Sequence, residues 1–331
     1  MEQTNLLEIR DLKTHFFTRK FVIPAVDGID MDVRRGTVTG LVGESGCGKS
    51  MTALSIMGLV PAPAGKTVGG RILFEGEDLT RKNYASMSDI RGKDISMIFQ
   101  EPMTALNPVY TIERQVGEAL LIHTSLSKAT IRERVMGMLD LVGIPEPGSR
   151  MRAFPHQLSG GLRQRVMIAM ALICDPKLLI ADEPTTALDV TIQAQILDLM
   201  LDLMKRLGTS IILITHDLGV VAETCDAVYV MYAGKIVEQG SVYDIFDSPA
   251  HPYTWGLLRS IPKITERRHG ERLYNIEGMV PALTDLPPGC RFAPRCERVT
   301  AACREREPEL VAVGDGHFAR CWRAGERGFG M

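Results

Sequence analysis

Hydrophobic and polar positions follow two different periods along this chain. Residues alternate between apolar and polar over Leu6 to Phe17 and again over Val22 to Val33, which predicts two half-buried strands. Gly69 to Leu79 has the character of an edge strand followed by a turn. Four short, mostly apolar runs predict strands that are buried on both faces. They are residues 37–42, 95–99, 178–181 and 210–214.

Longer segments show the spacing of apolar residues that is typical of helices. They are Ser50 to Leu59, Ile112 to Val142 with an interruption near residues 125–127, Ser159 to Cys174, and Thr191 to Leu207. Val228 to Glu238 predicts a hairpin, and Ser248 to Tyr253 breaks regular structure and begins a tail. Strands that alternate with helices predict an α/β domain over residues 1–250, with a helical insert at about 101–160 and a C-terminal extension over 251–331.

One glycine-rich turn joins a predicted strand to a predicted helix. It fits the pattern G-x-x-x-x-G-K-[ST], in which backbone N–H groups and the start of a helix bind phosphate. Lys49 supplies a positive charge for the outer phosphates, and the Ser50 hydroxyl can be a ligand of Mg²⁺. The alternative is a strand–helix turn that binds nothing. The predicted nucleotide-binding residues of this segment are Gly43, Glu44, Ser45, Gly46, Cys47, Gly48, Lys49, Ser50 and Met51.

Three of the buried strands end in polar residues that suit phosphate chemistry. One is followed by Asp182 and Glu183: Asp182 can belong to the Mg²⁺ shell, and Glu183 can polarise a water for attack on the γ-phosphorus. The alternative for this pair is an exposed acidic strand end. A second strand ends at Gln100, and a third precedes His216, which either reaches the γ-phosphate or has only a structural role.

Two further features are less specific. Ser159, Gly160 and Gly161 begin a helix with a good N-cap and glycines, which again suits an anion, although Ser-Gly-Gly occurs in many loops. Phe16 lies upstream of the glycine-rich turn and can stack on a base, with Phe17 as the second choice. The alternative for both aromatic side chains is packing within a small sheet.

Composition narrows the class of protein. The formal net charge of −2 gives no reason to expect a polyanionic partner. The longest unbroken apolar run, Val166 to Cys174, is far shorter than the ~20 residues that span a bilayer. The first residues lack the basic-then-apolar layout of a signal peptide. We therefore expect a cytosolic protein, or one that is bound to a membrane through other proteins.

Four of the seven cysteines crowd into the C-terminal extension. Cys290, Cys296, Cys303 and Cys321 have the spacing C-x5-C-x6-C-x17-C. In a reducing compartment such a group favours a metal site over disulfides. The spacing matches neither an ordinary zinc ribbon nor the bacterial ferredoxin run, so zinc, an iron–sulfur cluster and unligated thiols all stay open.

Together, these motifs resemble those of an ATP-binding-cassette (ABC) ATPase, a P-loop NTPase fold with a mixed sheet core, an antiparallel β subdomain and a helical subdomain. Their order and spacing agree with the family throughout. Only Leu162 departs slightly, because the family often has Gln there. The matching segments are Walker A (43–50), the Q-loop at Gln100, the signature (158–164), Walker B (178–183), the D-loop (187–189) and the switch histidine, His216.

A narrower resemblance, over residues 5 to 322, is to the ATPases of dipeptide and oligopeptide (and nickel) importers, D-type subunits in particular. It depends on the segment that contains the Q-loop (99–108), Pro155-His156-Gln157, Met231-Tyr232-Ala233-Gly234, His251-Pro252-Tyr253 and the cysteine tail. The transported molecule cannot be deduced from these motifs, because selectivity in such systems belongs to the binding protein and the permease.

The resemblance implies a mechanism and partners. Two cassettes face head to tail, and each ATP lies between one Walker A and the partner's signature and D-loop; in this chain those residues are Ser159, Gly160, Gly161 and Asp189. Catalysis falls to Glu183, His216, Gln100 and Lys49, and Mg²⁺ to Ser50, Gln100 and Asp182. The implied partners are a second homologous ATPase, two membrane permease subunits and an extracytoplasmic solute-binding protein, with no nucleic acid. The implied location is peripheral, at the cytoplasmic face of the bacterial inner membrane.

For the four tail cysteines the resemblance implies a 4Fe–4S cluster, with zinc as the alternative. Two other functions remain as rivals. One is a soluble ABC ATPase of translation or DNA repair, although those have tandem cassettes or long coiled coils, and this chain shows no sustained heptads. The other is a redox-responsive regulator in which the cysteine tail is primary.

Overall fold

The structure, a computed structural model, describes residues 5–100, 105–185, 190–261 and 274–326. The chain forms two compact units. The first consists mainly of residues 81–214, with short pieces from earlier in the chain, and the second consists mainly of residues 7–33, 38–80 and 215–331. No described helix is both long enough and apolar enough to cross a bilayer.

The first unit contains three parallel strands covered by helices. Strand β6 (Ile95–Ile98) pairs with β7 (Leu178–Asp182), and β7 pairs with β8 (Ser210–Thr215). Every residue of β7 and β8 is buried, which explains why residues 178–181 and 211–214 within them are all apolar. The helices here are α2 (Tyr84–Ser88), α3 (Ile112–His123), α4 (Lys128–Leu141), α5 (Pro147–Arg150), α6 (Gly160–Leu172) and α7 (Val190–Leu207).

The second unit begins with an antiparallel sheet of four strands in the order β2-β1-β4-β5. Their bounds are β1 (Asn5–Phe17), β2 (Val22–Arg34), β4 (Gly65–Phe74) and β5 (Glu77–Asp78). The alternating burial of β1 and β2 confirms the prediction made from their sequence pattern.

The second unit also contains a mixed set of strands. Strand β3 (Val38–Val42) runs parallel to β9 (Ala227–Tyr232), and β9 forms a hairpin with β10 (Lys235–Ser241). Two strands of the C-terminal extension continue this pairing: β12 (His317–Ala319) lies against β10, and β11 (Val311–Gly314) lies against β12. The helices here are α1 (Lys49–Ile56), α8 (Leu218–Thr224), α9 (Val242–Asp247), α10 (Pro252–Arg259) and α11 (Ala301–Glu305).

Two predictions about regular structure are wrong. The strand predicted as an edge at Gly69 to Leu79 is β4, which lies between β1 and β5. Its glycines mark an irregular register instead, where Gly70 has a φ of +84° and a Cβ there would lie 2.4 Å from the Asp11 carbonyl. The break predicted at Ser248 to Tyr253 ends early, because α10 begins at Pro252. The missing N–H of proline costs nothing in the first turn, where a backbone N–H has no partner within the helix.

Candidate functional site

The glycine-rich turn connects the buried strand β3 to α1 in a conformation that only glycine tolerates. Gly43 has a φ of +151° and Gly48 a φ of +114°. A Cβ at Gly43 would lie 2.2 Å from the Met231 carbonyl oxygen, and one at Gly48 would lie 2.3 Å from the Ala25 carbonyl oxygen. The pattern of glycines therefore reflects a backbone that is packed closely from behind and turns its other side outward.

The lysine of this loop is buried at the start of α1. Lys49 Nζ donates hydrogen bonds to the carbonyl oxygens of Gly43, at 2.7 Å, and of Glu44, at 3.1 Å. These bonds hold its charge inside the loop. Ser50 and Met51 follow in α1 and are half-buried, and the tip of the loop at Ser45 and Gly46 is exposed.

Neighbouring strands fix the loop and its helix. The Gly234 N–H, in the turn of the β9–β10 hairpin, donates to the Cys47 carbonyl at 2.8 Å. The hydroxyls of Thr14 and Ser55 lie 2.7 Å apart and join β1 to α1. Phe16 lies two residues further along β1, where it is half-buried and pairs with Gly65. Base stacking by Phe16 stays a prediction.

Two predicted catalytic residues of the first unit meet at neighbouring strand ends. Gln100 Nε2 lies 3.3 Å from Glu183 Oε2. Asp182 is the last residue of β7 and is buried, and Glu183 follows with a φ of +46°. The Glu183 N–H donates to the Ile214 carbonyl of β8 at 2.9 Å, which fixes this turn of the chain. The backbone at Asp182 and Glu183 is thus fixed by its strand neighbours at the end of β7.

The signature segment forms the predicted helix start. Ser159 is the N-cap of α6, and its Oγ accepts the Leu162 N–H at 3.4 Å. Gly160 is exposed at this start and Gly161 is half-buried. Further along α6, the buried Gln164 donates its amide hydrogen bond to the Pro184 carbonyl. The signature helix and the end of Walker B are therefore in direct contact.

The remaining predicted residues are placed as follows. His216 is exposed directly after β8. Asp189 and the rest of the D-loop lie outside the described residues, as do residues 101–104 after the Q-loop. Lys49 and His216 belong to the second unit, whereas Gln100, Ser159, Asp182 and Glu183 belong to the first.

The four tail cysteines gather around one cavity. Cys290, Cys296, Cys303 and Cys321 all line one cavity, together with His251, Phe292 and Trp322. The Cys290 N–H donates to the Cys303 carbonyl at 2.8 Å, so two of the four are joined through the backbone. No group of three or more His, Cys, Asp or Glu side chains in the described ranges is arranged to hold a metal ion.

The cavity is apolar, and burial there favours the neutral thiols more than the backbone hydrogen bonds favour the thiolates. Burial raises the pKa of Cys290 to about 12 and that of Cys321 to about 11. The backbone N–H two residues beyond each of Cys290, Cys296 and Cys321 opposes this effect, because it stabilises the thiolate. Hydrogen bonds of this kind to sulfur are a lever by which proteins tune Fe–S clusters.

Sequence reasoning missed two residues that contact the phosphate loop from the extension. Tyr253 accepts the Glu44 N–H on its hydroxyl at 2.8 Å, and Arg295 forms an ion pair with the Glu44 carboxylate. His251-Pro252-Tyr253 carried a family resemblance but no physical role. No local signal could have identified Arg295, because its partner lies 251 residues away in the chain.

The family model for the ABC transporter matches residues 26–186, and the model for the oligopeptide/dipeptide transporter C-terminal region matches residues 237–303. A probable peptide ABC transporter ATP-binding protein, y4tR of Sinorhizobium fredii, is 54% identical over 97% of this chain and 96% of its own length. The oligopeptide transport ATP-binding protein AppD of Bacillus subtilis is 53% identical over 98% of each chain.

A solved structure has the same fold over most of this chain. The dimeric structure of MJ0796, described as a bacterial ABC transporter cassette, has a TM-score of 0.64 and 25% sequence identity, and it covers 71% of this chain and 98% of that one. The predicted fold, a P-loop cassette with a mixed sheet, an antiparallel sheet and helices, is confirmed. The chain therefore belongs to the ABC transporter family of ATP-binding proteins, in the branch that carries the oligopeptide/dipeptide transporter C-terminal region.

Proposed function

We propose that this chain is the ATP-hydrolysing subunit of an importer for dipeptides, oligopeptides or related small solutes. It couples ATP binding and hydrolysis to transport through partner permease subunits. The relatives described above as peptide and oligopeptide transport ATP-binding proteins support this proposal over nearly the whole chain. The observation that carries it is the hydrogen bond between Gln100 and Glu183 at the ends of two adjacent parallel strands.

Each predicted residue has a chemical role in this proposal. The phosphate loop binds the triphosphate through backbone N–H groups and Lys49. Glu183 orients the attacking water and accepts its proton, and Gln100 holds that carboxylate in place. His216 contacts the γ-phosphate. Ser50, Gln100 and Asp182 offer the oxygen ligands that Mg²⁺ prefers, and the ion supplies neutralisation of phosphate charge when bound.

A second ATPase completes the site. Two cassettes face head to tail, and the signature of one, Ser159 to Gly161 in this chain, binds the ATP held by the other. The exposure of Gly160 at the start of α6 supports this proposal, because the helix N-terminus is open to an incoming anion. The solved relative described as dimeric supports it as well. The second ATPase is a different, homologous subunit.

Membrane subunits dock on the helical insert. The support is a group of large apolar side chains that α3 and its neighbours leave exposed, with Ile122 exposed by 68%. The others are Val109, Leu121, Leu126 and Met136. The chain is thus peripheral at the cytoplasmic face of a bacterial inner membrane, and an extracytoplasmic binding protein delivers the solute to its permease partners.

The experiment for the ATPase role replaces Glu183 by glutamine, which keeps the shape of the side chain and removes the base. We expect phosphate release to fall by at least about 100-fold, while binding of ATP with Mg²⁺ persists. Lys49→Ala should lose nucleotide binding itself. Glu118→Gln, an exposed glutamate of α3, is the matched control and should hydrolyse ATP at the wild-type rate. Full hydrolysis by Glu183→Gln would remove this residue from its role.

We further propose that Cys290, Cys296, Cys303 and Cys321 hold a 4Fe–4S cluster, with zinc as the alternative. Their common cavity and the backbone N–H groups aimed at three of the sulfurs support the fit. A cluster is wider than a single ion, so its ligands need not converge as closely as those of zinc. When bound, it would join the loops of the extension covalently.

Purification without oxygen tests the cluster. We expect about four iron and four labile sulfide per chain, with broad absorption near 400 nm. Cys296→Ser should lower both contents, and Cys174→Ser, a half-buried cysteine of the first unit, should change neither. One zinc per chain without iron supports the alternative, and a chain free of both metals overturns the proposal.

A further inference from the structure

Arg295 of the extension reaches back to the phosphate loop. Its Nη1 lies 2.5 Å from Glu44 Oε2 and its Nη2 lies 3.0 Å from Glu44 Oε1, so the pair is bidentate. The Arg295 side chain is only 4% exposed and that of Glu44 is 31% exposed. The guanidinium also donates to the backbone carbonyls of Ile276 and Glu277, which fixes its direction.

A buried aromatic group supports the same point of the loop. The Tyr253 hydroxyl accepts the Glu44 N–H at 2.8 Å, so both the backbone and the side chain of Glu44 are held from the extension. The Tyr253 ring packs edge-on against Tyr232, with centroids 4.6 Å apart, and lies 5.4 Å from Phe292. All three rings are almost completely buried. The support behind Glu44 is therefore stiff.

A second arginine supports the other half of the loop through the turn between β9 and β10. Arg291 Nη1 donates to the Ala233 carbonyl at 2.6 Å. The next residue, Gly234, donates its N–H to the Cys47 carbonyl inside the loop. Arg291 also pairs with Asp27 of β2 and with Glu307, so it is anchored at both ends. The extension thus contacts the loop directly at Glu44 and indirectly at Cys47.

The position of Glu44 explains why this bracing matters. Glu44 is the one acidic residue of the segment 43–50, next to the backbone that receives phosphate. An uncompensated carboxylate there would repel a triphosphate, and its partial burial would strengthen the repulsion. The bidentate guanidinium neutralises this carboxylate and holds it against the extension.

We infer that the C-terminal extension positions the phosphate loop of its own cassette, with Arg295 as the positioning residue and Arg291 as its second support. The inference rests on the proposed role of residues 43–50 in binding ATP. Arg291 directly follows Cys290, and Arg295 directly precedes Cys296. A change in the cysteine cavity that moves these two stretches of backbone therefore changes the affinity of the cassette for ATP.

Binding of ATP to the full-length chain tests the inference, with a fluorescent ATP analogue and Mg²⁺ as the probe. We expect Arg295→Met to weaken binding about tenfold, because a partly buried charged hydrogen-bond pair is lost. The KM for ATP should rise by a similar factor while kcat stays within about twofold, since the residue acts through the loop and not on the reacting atoms. Arg295→Lys keeps the charge and should recover part of the affinity.

The control is Arg304→Met, which removes an exposed arginine that directly follows Cys303. It should bind ATP like the wild type. In the Glu44→Gln background, Arg295→Met should cost no further affinity, because the carboxylate that it neutralises is gone. This lack of additivity separates positioning from a general loss of structure, which would weaken binding in either background.

The results distinguish the inference from the proposed function. If the wild type fails to bind ATP, or Lys49→Ala binds it normally, the proposed function fails. If those two behave as expected and Arg295→Met binds ATP like the wild type, the inference alone is wrong. It is also wrong if Arg304→Met weakens binding as much as Arg295→Met, or if the loss persists in full in the Glu44→Gln background.

Discussion

One fully buried carboxylate links the cassette to its C-terminal extension. Glu238 of β10 is fully buried and accepts three hydrogen bonds. The backbone N–H groups of Ala250 and His251 donate to it at 2.6 and 2.9 Å, and His317 Nε2 of β12 lies 2.8 Å away. Replacement of Glu238 by glutamine keeps the volume of the side chain and removes its charge.

The magnitude follows from these contacts. Glutamine has one accepting oxygen, so its NH₂ group must face one of the three donors. The variant loses one hydrogen bond to a charged acceptor, leaves a buried donor unsatisfied and weakens the bonds that remain. We expect a loss of about 3 kcal/mol in the free energy of unfolding. Glu238→Ala, which leaves three donors without an acceptor, should lose about 5 kcal/mol.

The assay can observe the extension separately, because both tryptophans of the chain, Trp255 and Trp322, lie in it. Urea unfolding is followed by tryptophan fluorescence and, for the whole chain, by far-UV circular dichroism. With a slope of about 2 kcal/mol per molar, the fluorescence midpoint of Glu238→Gln should fall by about 1.5 M. Glu309→Gln, an exposed glutamate of the extension, is the control. A shift below about 0.5 M, or one equal to that of the control, would refute the reasoning.

Two further predictions concern stability within each unit. Gly48→Ala should lower the free energy of unfolding by more than about 3 kcal/mol, because the new Cβ would lie 2.3 Å from a backbone oxygen. Gly46→Ala should lower it by only about 1 kcal/mol, because Gly46 has a φ of +79° but no atom within 4 Å of the new Cβ. Equal urea midpoints for the two variants would contradict this prediction. Gln115→Leu should cost about 3 kcal/mol, because the buried amide accepts the Asn107 N–H and donates to the Asn107 and Tyr110 carbonyls. Glu118→Leu, at an exposed position, is its control. Equal urea midpoints for Gln115→Leu and Glu118→Leu would contradict the prediction.

Local patterns predicted what local physics determines. The strand before the phosphate loop, the N-cap at Ser159 and the carboxylates at the end of β7 all depend on residues a few positions apart, and the structure has each of them. The interior place of β4 could not be predicted, because it depends on which strands pair across the sheet. Periodicity describes the burial of a strand, and it carries no information about the identity of its neighbours.

The extension shows the same limit more strongly. Its cysteine spacing left zinc, iron–sulfur and free thiols open, and only the folded chain brings the four thiols to one cavity. The contact between Arg295 and Glu44 joins residues that are 251 positions apart, a separation that no local sequence motif spans. Such contacts depend on the order in which strands and loops pack, which no window of sequence contains.

The strand pairing explains how the extension can act on the phosphate loop at all. Strand β10 has β9 on one side and β12 on the other, and Arg320 adds bonds from its N–H to the Val237 carbonyl and from Nε to the Ile236 carbonyl. The turn between β9 and β10 in turn supports Cys47 through Gly234. Because hydrogen-bonded strands shift together, a movement of β12 reaches this turn without an intervening flexible segment. The extension is therefore built into the same unit as the phosphate loop, and it can bias the conformation of that loop through contacts that the fold already contains.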